Sequence, residues 1–178
     1  MRLALHSSIP PQSRGNLPET AFRQHGWAGL RAKLFHYYFL LRRPMTFGVR
    51  GLVHDRESNT VFLIRHTYVP GWQLPGGGVE RGETALTALK REFEEEGNIV
   101  LDGLPELRSM HLNLVGSARD HVAFYLITSF RQTAPKLPDH EIAESGFFPI
   151  DALPEMTTPA TRRRIDEVFG GAEVSEYW

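Results

Sequence analysis

Two runs rich in β-branched and aromatic residues, Met45–His54 and Thr60–His66, flank the polar cluster Asp55-Arg56-Glu57-Ser58-Asn59 and predict two strands joined by a turn. A second pair, Glu106–Val115 and His121–Phe130, brackets Gly116-Ser117-Ala118-Arg119-Asp120 in the same way. A proline-broken loop, Thr133–His140, leads to a short strand at Gly146–Ile150. Between and around these runs the period changes to that of helices. Ala85–Glu96 contains neither Gly nor Pro, and Ala160–Phe169 is amphipathic behind Thr157-Thr158-Pro159. Further upstream, Trp27, Leu30, Leu34, Tyr37, Tyr38 and Leu41 recur at helical spacing, and Pro44 ends that pattern. The resulting division is a loose tail over residues 1–18, a basic amphipathic helix over 19–44, an α/β domain over 45–170 and a tail over 171–178. Strands and helices in this order predict a mixed sheet covered by helices on both faces.

The Ala85–Glu96 helix carries the most chemistry. Thr84 is its expected N-cap, since a threonine hydroxyl accepts from an orphan amide of the first turn. At about 100° per residue, Glu92, Glu95 and Glu96 fall near 0°, −60° and +40° and share a face. Leu89, Phe93 and Leu86 form the adjoining buried stripe, Lys90 and Glu94 take the solvent side, and Ala85 and Ala88 are expected to leave open space beside the acids. Stacked carboxylates repel by a few tenths of a kcal/mol per pair, and a bound cation reverses that sign. A solvated acidic helix end would show the same run of glutamates. What separates the readings is the preceding Leu74-Pro75-Gly76-Gly77-Gly78, because consecutive glycines let backbone carbonyls and amides approach a ligand closely.

Gly77-Gly78-Val79-Glu80-Arg81-Gly82-Glu83, followed seven residues later by Arg91-Glu92-Phe93-Glu94-Glu95-Glu96-Gly97-Asn98-Ile99, has the spacing Gly-x5-Glu-x7-Arg-Glu-Phe-x-Glu-Glu. This resembles the box of the Nudix hydrolases, which cleave pyrophosphate linkages of nucleoside diphosphate derivatives with a divalent metal. The resemblance implies an α/β/α sandwich with a mixed sheet over roughly residues 45–170, with the first 44 residues outside the family core. It implies Mg²⁺ (or Mn²⁺) held by Glu92, Glu95 and Glu96, with the carbonyl of Gly76 as a backbone ligand and Glu92 and Glu95 as the catalytic pair. Glu92 is the expected base. Arg91 and Glu83 match positions that brace the loop–helix turn. A later loop often adds a carboxylate, for which Glu141 ranks before Glu144. Arg65, Tyr68, Trp72, Gly77 and Gly78 are the expected substrate contacts, although aromatic residues at such positions are as often core. One departure stands out: the family places Gly two residues after the double Glu, where this chain has Asn98, with Gly97 one position early. A shifted helix cap is the expected consequence.

Composition narrows the picture further. The chain of 178 residues, with 41% apolar residues and 11% aromatics, suits one folded domain with a sizeable core. It has no cysteine, which excludes disulfides, thiolate metal ligands and a thiol nucleophile. The eight histidines are scattered, with no HExxH, so a histidine-built metal site is not expected. Residues 1–50 hold eight Lys/Arg against Glu19 alone, whereas the remainder holds twelve against twenty acids. A basic amino end of this kind meets nucleic acid or membrane in some proteins. Its interleaving with apolar residues favours a helix packed on the domain or on a second copy in a homodimer. No apolar run suits a secretory signal or a membrane span, so the expectation is a cytoplasmic enzyme acting on a small nucleoside diphosphate-type substrate. The alternative is a binding or regulatory module that keeps the fold and only senses a nucleotide.

Overall fold

A computed structural model describes Tyr38 and residues 45–178. The expected tail over 1–18 and, apart from the helical Tyr38, the expected helix over 19–44 lie outside the described residues. In chain order the elements are β1 (Thr46–Asp55), β2 (Thr60–His66), β3 (Trp72–Gln73), α1 (Ala85–Gly97), β4 (Ile99–Leu101) and β5 (Glu106–Leu112). There follow β6 (Asp120–Ile127), β7 (Phe130–Gln132), β8 (Ile142–Pro149) and α2 (Pro159–Ile165), which runs into a wider turn at Asp166–Gly170.

The main sheet has the order β3-β2-β1-β6-β5, with β8 paired to β2. At its centre β1 runs parallel to β6, from Thr46 opposite Asp120 to Val53 opposite Ile127. β4 and β7 form a separate antiparallel pair. The first hairpin turns where expected: Asp55 accepts from Glu57 N at 3.0 Å and Ser58 Oγ at 2.7 Å, and Asn59 takes the left-handed conformation with φ 53°.

β1 and β2 pair only next to this turn, His54 with Val61 and Asp55 with Thr60. Beyond it the strands part, and residues 75–79 run along the vacated edge of β1. Gly51 N donates to Pro75 O at 3.0 Å, Val49 N to Gly77 O at 2.9 Å and Val79 N to Phe47 O at 2.8 Å. The glycine turn is therefore part of the sheet, held by backbone bonds that a looser surface loop would lack.

Side chains alternate across the sheet. Val49, Val53, Phe62, Ile64, Ala123 and Ile127 pack on one face with Ala88, Leu89 and Phe93 of α1. Leu52, Val61, Leu63, Leu74 and Phe124 pack on the other with Ile165 of α2. Each large apolar side chain so buried contributes about 1.5–3 kcal/mol. The architecture is the expected mixed sheet with a helix on either face. On α1, Thr84 caps through a hydroxyl that accepts from Thr87 N at 3.1 Å. Ala88 is buried in the core, so the open space expected beside the acids is filled by packing.

Three boundaries differ from expectation. β5 stops at Leu112, because Asn113 Nδ2 donates to Asp120 Oδ2 at 2.7 Å and folds residues 113–119 into a turn. Phe130 leaves β6 to start β7. β8 begins at Ile142 rather than Gly146, because Asp139 Oδ1 accepts from the amides of Glu141 and Ile142 and sets the strand entry earlier. Residues 171–178, expected as a tail, run back to β5, where Leu112 N donates to Glu176 O at 2.9 Å and Trp178 N to Leu112 O at 3.1 Å. No helix among the described residues is long and apolar enough to cross a membrane.

Candidate active site

The split between β1 and β2 places the glycine turn directly over α1. Gly76 has φ 134°, and a Cβ there would lie 2.1 Å from Val49 O, so only glycine fits. Gly76 N donates to Glu96 Oε2 at 2.6 Å. A Cβ on Gly77 would lie 2.3 Å from Glu92 Oε1, so bare backbone lets that carboxylate rest against the turn. The sequence-predicted Gly76, Gly77, Glu92 and Glu96 thus come together through close backbone approach.

Arg91 organises the outer half. Its guanidinium forks onto Glu83, with Nε to Oε1 and Nη2 to Oε2 both at 3.1 Å. Nη1 donates to Glu92 Oε1 at 2.8 Å and Glu95 Oε2 at 3.3 Å, and Nη2 to Gly78 O at 3.1 Å. One planar cation thereby ties turn, helix start and two acids, which a lysine could not do with the same geometry. The fork raises Arg91 above its ordinary pKa and lowers Glu83.

The three box glutamates differ sharply in environment. Glu95 is exposed on the Arg91 side. Glu92 is largely covered, and burial lifts its pKa while Arg91 pulls it down. Glu96, expected at the rim, is 3% exposed and lies within the packed interior, where burial pushes its pKa up to about 8. Glu96 sits in the last turn of α1, directly under the split. Asn98 is the left-handed cap with φ 52°, and its amide donates to Glu94 O at 3.1 Å. Gly97 closes the helix, and a Cβ there would lie 2.8 Å from the Phe62 ring, so glycine suits the position. The departure from the family spacing is a shifted cap, as expected.

Glu141 reaches the same place from the start of the β8 region. Among the described residues, His66, Glu96 and Glu141 offer ligand atoms that all lie within 4.8 Å of one another. Tyr68 bridges them: its hydroxyl donates to Glu141 Oε1 at 3.2 Å and its ring stacks on His66 at 5.1 Å. Glu144 instead pairs with Arg65 at 3.0 Å at the surface, so neither is placed at the acids. Trp72 packs edge-on against Phe148 on the α2 face, which is the core role rather than a substrate contact.

Two site residues escaped the sequence reading. His66 follows Phe62 and Ile64 on the inward face of β2, and a polar residue at an inward position was the available signal. Arg50 donates to Leu74 O at 3.1 Å; burial first and the Arg50 charge second lower the pKa of His66, and the same charge opposes the upward push of burial on Glu96. Beside the turn opens a cleft of about 710 Å³, whose walls include Gly77, Gly78, Arg50, Asp120, Arg163 and Trp178.

Residues 44–168 match the model of the NUDIX domain, and the chain belongs to that family. Its fold is similar to the MutT NUDIX hydrolase from Burkholderia pseudomallei, with a TM-score of 0.60 and 27% identity over 69% of this chain and 97% of that one. The MutT protein from Methanosarcina mazei Go1 shares the fold at a TM-score of 0.58 and 20% identity, covering 72% of this chain and 95% of that chain. In sequence, 67 residues are 39% identical to an RNA pyrophosphohydrolase of Xanthomonas campestris pv. campestris (strain B100), which is 38% of this chain. The match spans only 29% of the length of that relative.

Proposed function

We propose that the protein is a metal-dependent pyrophosphohydrolase that cleaves the P–O–P link of a nucleoside diphosphate joined to another group. The observation that carries this is the close approach of Gly76 to Glu96 and of Gly77 to Glu92, with Glu141 beside Glu96, on a turn whose Gly77 and Gly78 also line the neighbouring cleft. The donors fit a divalent cation: Glu96 and Glu141 offer carboxylate oxygens within 4.8 Å of one another, and among the described residues no lysine or arginine is hydrogen-bonded to the buried Glu96. Glu96 and Glu141 would hold the ion, with Glu92, Glu95 and the Gly76 carbonyl as the remaining candidate ligands. When bound, Mg²⁺ or Mn²⁺ neutralises phosphoryl charge and acidifies a water.

The chain's own residues do the rest. Burial raises the proton affinity of Glu92, and Arg91 holds one of its oxygens, so Glu92 is the proposed base, poised but fixed in direction. Arg91 and Glu83 keep the turn and helix in register and position the acids without reacting. The exposed amide-rich backbone of Gly77 and Gly78 and the guanidinium of Arg50 face the cleft, where phosphate oxygens would lie.

A substrate panel tests the reading. It should contain ADP-ribose, nucleotide sugars, dinucleoside polyphosphates, (d)NTPs and 5′-triphosphorylated RNA, the last because of the relative just named. The expected result is metal-dependent release of phosphate-bearing products from at least one class, strongly lowered in Glu96→Gln and lowered in Glu92→Gln. Metal-dependent nucleotide binding with no turnover at high enzyme concentration would replace the enzyme by a sensing module.

A further inference from the structure

His66 bears on which ion the site takes. It lies on β2 in the inward series Phe62, Ile64, His66 and is 6% exposed. Its buried Nδ1 makes no hydrogen bond of normal geometry among the described residues, the Glu141 backbone acts on the ring, and its Nε2 meets Glu96 Oε1 at 3.6 Å. That separation is too long for a hydrogen bond. It is close to the spacing of two ligands on one ion, about 3.0–3.4 Å for metal–ligand bonds of about 2.1 Å. His111, by contrast, has Ser175 O and Ser109 Oγ at its two ring nitrogens. Tyr68 fixes the arrangement from outside, stacking on the imidazole while donating to Glu141.

We propose that His66 is a nitrogen ligand of the ion held by Glu96 and Glu141, so that the centre favours a borderline divalent metal, Mn²⁺, Co²⁺ or Zn²⁺, over Mg²⁺. This rests on the metal-dependent reading of the same site. The chemistry follows from the donor set. An imidazole nitrogen adds little for a hard ion that prefers oxygen and retains its waters, and much for ions further along the Irving–Williams order. The structure thus gives a member of this family a mixed nitrogen–oxygen centre that the scattered histidines of the sequence did not suggest.

The test is pulsed electron paramagnetic resonance of Mn²⁺ bound to the metal-free full chain. Wild type should show ¹⁴N modulation that converts to the ¹⁵N pattern when the histidines are ¹⁵N-labelled, a readout that needs no variant. His66→Gln should still bind Mn²⁺, lose the nitrogen coupling, and lose at least about fivefold of the preference for Mn²⁺ over Mg²⁺ in competition titration. If the glutamine variant does not fold, His66→Phe, which keeps a ring in the cavity, takes its place. Mn²⁺ bound without nitrogen coupling, or with coupling that survives loss of His66, overturns the ligand assignment and leaves the metal-dependent reading standing. No Mn²⁺ uptake by wild type, with or without nucleotide, overturns both.

Discussion

Two buried histidines sit among acids in this domain, and they are handled in opposite ways. His111 lies under the α2 face with Arg164, which is fully buried, and with Glu167. Its Nδ1 donates to Ser175 O at 2.8 Å, which leaves Nε2 as acceptor for Ser109 Oγ at 2.7 Å, and Arg164 Nη1 lies against the same ring. Arg164 in turn pairs with Glu167 at 2.5 Å and lies over the Trp178 ring at 5.4 Å. That cluster contains its own cation. Around His66, no cation among the described residues is hydrogen-bonded to the nearest acids, Glu96 and Glu141, and Arg50 directs a guanidinium nitrogen to Leu74 O. Similar side chains thus form a closed structural knot on one face and an open, carboxyl-lined socket on the other. Internal charge balance, rather than residue type, separates scaffold from candidate chemistry.

The comparison breaks most visibly at Arg164. Arg164→Leu leaves Glu167 buried without its partner and is expected to cost about 3–5 kcal/mol in urea unfolding, with Mn²⁺ affinity of the folded protein unchanged. A loss below about 1 kcal/mol would show the knot to be ornamental. At the socket the expected pattern inverts. Glu96→Gln should lower kcat/KM by on the order of 10²–10³, while the melting temperature of the metal-free protein stays within about 3 °C of wild type.

A pH titration sharpens the contrast. Burial, together with Arg164, pushes the His111 imidazole down to about 4, so the unfolded chain binds a proton that the folded chain refuses. Stability from this group is complete above its ordinary value of 6.5 and drains away as pH falls toward 4. Between pH 7 and pH 5 wild type should lose about 5 °C more in melting temperature than His111→Phe. Equal slopes would remove His111 from the account. The smallest effect belongs to the surface: Arg65→Ala breaks a pair with the half-exposed Glu144 and should cost under about 1 kcal/mol, with kcat within twofold or so.

Much of this arrangement was legible in the sequence because it is local. The helix at Ala85, its Thr84 cap and the exposed Glu94 and Lys90 follow from spacing and propensity, and the bracing by Glu83 and Arg91 came through resemblance to the Nudix box. The depth of Glu96 was not legible, since a helical wheel gives direction and not distance from solvent. His66 and Arg50 were missed because their roles depend on β1 and β2 parting after two paired positions, which no local pattern encodes. The early start of β8 was missed for a similar reason: Asp139 captures two amides beyond it and begins the strand before its apolar run.

The central parallel pair joins Thr46 to Asp120 across almost half the chain. Until β6 leaves the ribosome, the edge of β1 that it fills stays unpaired, and the interior on both sides of the sheet stays incomplete. Closing so distant a contact is slow, because chain entropy is surrendered before the contact repays it. Nascent chains halted before residue 127 would therefore expose Val49, Leu52 and Val53 to chaperones or to one another.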